Sequence, residues 1–138
     1  MAELKWRDSY EIGVNFIDED HKGLLNIILE LQKEIEVGDP SNVYVLLNKF
    51  INETKAHFSK EEAFLDKTNY PGLRKHKAYH KELLEKIETS KNKLETMKEK
   101  KDLKRHFDSM ARFVFDDILQ GDINFKSYLE HEGHTDNK

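Results

Sequence analysis

Only two prolines punctuate this 138-residue chain, and both fall in turn signals, Gly38-Asp39-Pro40 and Tyr70-Pro71-Gly72. Everything between and around them carries apolar residues at helical spacing, which restricts the chain to an all-α fold. Asp18 reads as the N-cap of a first helix over 18–37, with Leu24, Leu25, Ile28, Leu31 and Ile35 on its stripe. Asp39 and Pro40 read as N-cap and first residue of a second helix over 41–66. Its stripe runs Val43, Leu46, Leu47, Phe50, Thr54, His57, Glu61, Leu65. A third helix over 72–98 carries Leu73, His76, His80, Leu83, Leu84, Ile87 and Leu94. A fourth over 102–120 shows Leu103, Phe107, Met110, Val114 and Ile118 and is expected to stop at Gly121. Short connections between long helices predict antiparallel neighbours, hence an up-down-up-down four-helix bundle in a single domain over 1–138. An N-terminal arm (1–17) offers Trp6, Tyr10, Ile12 and Phe16 for packing, and a polar tail (122–138) follows the bundle.

Charge narrows the partners. Lys and Arg total 23 against 27 Asp and Glu, giving −4 with both signs interspersed. That describes a solvated surface, not a nucleic-acid or membrane footprint. The chain has no cysteine, which excludes thiolate metal sites, iron–sulfur clusters and disulfides and fits a reducing compartment. The start MAELKWRDSYEIG lacks an apolar secretion segment, so a cytoplasmic monomer is expected.

The bundle gathers an unusual set of side chains. HFSKE places His57 and Glu61, and HKAYH places His76 and His80, one helical turn apart on a single face. His21 lies near the start of the first helix, while Asp117 and Asp122 lie at the end of the fourth. The start of one, end of two, start of three and end of four all share one end of such a bundle. Seven metal-binding side chains at one level predict a buried dinuclear site of His21, His57, Glu61, His76, His80, Asp117 and Asp122. Asp122 is five residues past Asp117, so a continuous helix would turn it about 140° away. Gly121 is therefore expected to end the helix and let Asp122 turn inward. Glu62 reads as surface or as support for the ligands, His106 as a rim residue, and His131 and His134 as tail. Met110, Phe113, Leu25, Ile28, Phe58 and Thr54 read as core.

The segments IDEDHKGLL, HFSKEE and HKAYH, the acidic residue after the fourth helix, and Trp6 with IGVNFID in the arm resemble the hemerythrin family over roughly residues 4–130. The resemblance implies a four-helix bundle holding two iron ions joined by an oxo or hydroxo bridge and two carboxylates. By position, His76 and His80 would bind one iron, His21 and His57 the other, and Glu61 and Asp122 would bridge them. The iron held by His21 and His57 would keep an open position for oxygen. One departure stands out: the family run His-Ile-x-x-x-Asp reads Asp117-Ile118-Leu119-Gln120-Gly121-Asp122 here, and a tryptophan common four residues earlier is Phe113. Asp117 then binds directly, binds through water, or leaves its place to solvent.

Imidazole and carboxylate donors suit iron, manganese or zinc, the absence of sulfur argues against copper(I), and the resemblance implies iron. Reversible oxygen binding, for carriage, storage or sensing, is the leading expectation, with small anions such as azide as further ligands. A di-iron oxidoreductase acting on oxygen, peroxide or ferrous iron is the competing one. The extra negative charge of Asp117 favours that alternative, stabilising a ferric ion by on the order of 4 kcal/mol at most. A metal-free interaction module would leave the histidines and carboxylates buried without purpose.

Overall fold

The apolar stripes become the inner faces of four helices in a computed structural model that describes residues 4–38 and 40–135. They are α1 (Asn15–Val37), α2 (Pro40–Lys67), α3 (Leu73–Thr96) and α4 (Lys100–His131), preceded by a 3-10 turn at Asp8–Tyr10. Connections 38–39, 68–72 and 97–99 are short, each helix packs on its chain neighbour, and α1 closes the ring against α4. The architecture is the expected all-α four-helix bundle.

Helix ends show where local chemistry differs from the sequence reading. α1 starts at Asn15, not Asp18, and Val14 occupies the N-cap position without a side-chain bond. The Asp18 carboxylate instead reaches back to accept from the backbone N–H groups of Ile12 (2.8 Å) and Gly13 (3.1 Å). It pins the arm to the first turn of α1, with Gly13 supplying the positive φ of 93° that the chain reversal needs. Asp39, the expected cap of α2, lies outside the described residues. α2 ends at Lys67 and is closed by Asn69, whose φ is 59°: Tyr70 N–H donates to Leu65 C=O and Asn69 N–H to Asp66 C=O, the paired bonds of a Schellman motif.

α4 departs most from expectation. It does not stop at Gly121 but runs on to His131, so there is no tail from 122. Its stop signal is Gly133 at φ 75°, where Gly133 N–H donates to Glu130 C=O and His134 N–H to Leu129 C=O. Gly121 is small for another reason: a Cβ there would lie 2.7 Å from Cε2 of Tyr79. α4 thus approaches α3 closely at this point, and the Tyr79 hydroxyl donates to the Asp117 carbonyl (2.5 Å).

The buried apolar side chains form two separate clusters. The larger holds Leu24, Leu31, Phe50, Phe58, Leu83, Leu94, Phe107 and Ile118 among others. The smaller holds Ile12, Val14, Ile17, Leu65, Phe125 and Leu129. Arm residues therefore complete the second cluster, while Tyr10 packs edge-on against Phe115 of the first. Phe113, expected in the core, is 52% exposed, with the Lys86 ammonium 5.3 Å above its ring.

Candidate metal centre

Between the two apolar clusters lies a tier of polar side chains, one level thick, on all four helices. On α1 His21 separates Ile17 of the small cluster from Leu24 of the large one. On α2 Glu61 lies between Phe58 and Leu65, and on α4 Asp122 between Ile118 and Phe125. Helical periodicity forces this: a ligand three or four residues from apolar neighbours on both sides shares their inward face. His21, His57, Glu61, His76, His80 and Asp122 are all buried.

The six fall into two overlapping sets whose donor atoms lie within 4.8 Å of one another: His21, His57, Glu61, Asp122, and Glu61, His76, His80, Asp122. Both carboxylates belong to both sets. Glu61 turns Oε2 toward His57 Nε2 (3.0 Å) and Oε1 toward His76 Nε2 (2.6 Å) and His80 Nε2 (3.1 Å). Asp122 turns Oδ2 toward His21 Nε2 (2.6 Å) and Oδ1 toward His76 Nε2 (3.6 Å). Each carboxylate thus presents one oxygen to each histidine pair.

Whether a cation fits can be judged from the bonding. Nε2 of His21, His57 and His80, Oε2 of Glu61 and Oδ2 of Asp122 are buried without a hydrogen-bond partner among the described residues. Several of these atoms approach within hydrogen-bond distance yet lack its alignment. Buried polar groups left so cost free energy, on the order of 1–3 kcal/mol each. Nitrogens and carboxylate oxygens that converge on a point without bonding one another are what a cation satisfies, and the hard-to-borderline donor set suits iron or manganese.

Electrostatics agree. Burial pushes the His21 ring down to about 3, reinforced by the neighbouring His57, so it is held as a neutral donor. Burial also works to lower His57, but the close Glu61 and Asp20 carboxylates outweigh it and raise its affinity for a proton. Glu61 is driven well below the usual carboxylate range: burial opposes ionisation, and the close His57, His76 and His80 rings overcome it. Burial and the nearby Glu61 push Asp122 the other way. Protons and a metal ion compete for these donors.

Asp117 belongs to neither set. It is half-buried at the edge of the tier, and its nearness helps burial raise the Tyr79 hydroxyl to about 12. Along the unbroken α4 it is Asp122, rather than Asp117, that lies on the buried stripe. His106 is half-buried, and His131 and His134 are exposed, all outside the tier.

Two further carboxylates back the histidines. Asp20 accepts from His57 Nδ1 (2.9 Å) and Glu62 from His80 Nδ1 (2.8 Å). The sequence marks Glu62 as surface or support but gives Asp20 no comparable signal. Only its place beside His21 hinted at a role, because its partner lies across an interhelical gap.

Comparison with known proteins follows the same outline. Residues 12–126 match the profile of the hemerythrin HHE cation binding domain. A bacteriohemerythrin of Pseudomonas aeruginosa is 21% identical over 131 residues, covering 95% of this chain and 84% of that relative. A bacteriohemerythrin of Clostridium acetobutylicum is 26% identical over 124 residues, covering 87% and 96%. The myohemerythrin of Sipunculus nudus is 31% identical over 91 residues, covering 66% and 71%. No solved structure matches significantly.

Proposed function

The chain belongs to the hemerythrin family, and from that premise we propose that its polar tier holds two iron ions and binds oxygen reversibly. His21 and His57 serve one ion and His76 and His80 the other. Glu61 and Asp122 would be shared between them, a role supported by the way each turns one oxygen to each histidine pair. When bound, the iron pair supplies a redox-active Lewis acid with room for one small exogenous ligand. The protein's part is to hold neutral imidazoles and ionised carboxylates at fixed positions and to keep water out. The apolar clusters on either side of the tier do the second of these, and Phe58 stacked on His80 at 3.7 Å adds to the wall. Such walls keep water and proton donors from the tier, which would favour reversible binding over reduction.

The observation that carries this reading is the set of unpartnered donor atoms on Glu61, Asp122 and three histidines. Manganese would satisfy the same donors. The oxidoreductase alternative draws on the charge of Asp117, which lies outside both donor sets. The balanced surface charge and absence of cysteine fit a cytoplasmic monomer.

Protein prepared aerobically with iron should carry two ions per chain, and azide should add a charge-transfer band in the near-ultraviolet to visible range. Asp117→Ala should keep both ions, whereas Asp122→Ala should lose at least one. Iron far below one ion per chain, or a spectrum indifferent to saturating azide, overturns the proposal.

A further inference from the structure

Asp20 and Glu62 follow one pattern. Asp20 is the chain neighbour of His21 on α1 and the hydrogen-bond partner of His57 on α2. Glu62 is the chain neighbour of Glu61 on α2 and the partner of His80 on α3. Adjacent helical residues are separated by about 100°, so when one points into the bundle the next points toward the neighbouring helix. Each supporting carboxylate is therefore anchored beside one tier residue and grips another on the following helix. Together they tie α1 to α2 and α2 to α3 at the level of the tier.

The chemistry of the grip is directional. An ionised carboxylate can only accept, so the imidazole must place its proton on Nδ1 and turn the Nε2 lone pair inward. Asp20 is held in place from outside by Lys60, whose ammonium lies 2.8 Å from the same Oδ2 that meets His57. Glu62 has no lysine or arginine within 4 Å among the described residues, so its full charge rests on His80. His21, by contrast, has a buried Nδ1 without a partner among the described residues. One histidine of each pair is thus held by a carboxylate.

We propose that Asp20 and Glu62 are positioning residues: through hydrogen bonds across the helix interfaces they fix His57 and His80 with Nε2 directed at the metal pair. This rests on the di-metal reading above. Zinc, being diamagnetic, is a suitable probe on the full chain. In the zinc-loaded protein the Nδ1 protons of His57 and His80 should resonate far downfield and exchange slowly with water in nitrogen-15 correlated spectra. Asp20→Ala should abolish that signature for His57 alone, and Glu62→Ala for His80 alone. Each should weaken zinc binding, measured by chelator competition, by about 10–100-fold. Asp20→Asn, which keeps an acceptor oxygen, should recover part of the loss. A purely structural role would disturb both histidines together and would not be rescued by the amide.

The proposal is overturned if the wild-type His57 proton exchanges freely, a measurement that needs no variant. It is equally overturned if Asp20→Ala still binds two zinc ions with unchanged affinity. A wild-type chain that fails to bind two zinc ions overturns the di-metal reading, and this inference with it.

Discussion

His21 shows how one side chain can set the acid limit of the metal-free protein. In the fold it stays neutral down to about pH 3, whereas the unfolded chain takes up a proton near 6.5. Between those values the unfolded state binds more protons, so stability is complete above about 6.5 and is lost as pH falls toward 3. The full effect is on the order of 5 kcal/mol. His21→Gln, compared with wild type in chelator-treated samples, should flatten the pH dependence of denaturant unfolding by about one proton, or roughly 1.4 kcal/mol per pH unit. Identical slopes in the two proteins would show that His21 is protonated in the fold. At this scale the sequence was readable where chemistry and spacing coincide, as in HFSKE and HKAYH, because one-turn spacing alone places both members of a pair. Asp20 was not readable, since its partner is on another helix and only the rotation of both helices brings them together.

The helices themselves were legible from their stripes, and their ends were less so. Gly121 reads as a stop because glycine commonly ends helices, but a glycine stop of the Schellman kind needs a positive φ just past the last turn. That occurs at Gly133 instead. What Gly121 supplies is clearance for Tyr79, a tertiary fact that no local pattern carries. Gly121→Ala should therefore destabilise the protein by about 1–3 kcal/mol through overpacking, despite alanine's better helix propensity. Putting Tyr79→Ala into the same chain should remove that specific penalty, and a double-mutant cycle by thermal or denaturant unfolding measures the coupling. Additive losses would mean that the ring and the glycine do not interact. The continuation of α4 past Gly121 also lets Phe125 and Leu129 complete the second apolar cluster, and lets the Tyr128 hydroxyl donate to the Thr68 carbonyl (2.6 Å) just beyond α2.

Over the whole molecule, the tier is closed at one side by the main core and at the other by the small cluster of arm, α1, α2 and α4. Leu129→Ala and Leu94→Ala each truncate a fully buried leucine and should each cost about 2–5 kcal/mol. Only Leu129 belongs to the small cluster, which closes the second side of the tier. Chelator-driven loss of metal should therefore be markedly faster in Leu129→Ala than in Leu94→Ala, at matched temperature and ionic strength. Equal rates would mean that ions leave by another route. The division of the core has a deeper consequence for cooperativity. Two apolar clusters separated by a layer of charges are two potential folding units, joined only by the helices that run through both. When the layer is satisfied it transmits the stability of one unit to the other, and the bundle melts as a whole. When it is not, the smaller unit can open while the larger persists, so the apo protein has two thresholds where the loaded protein has one.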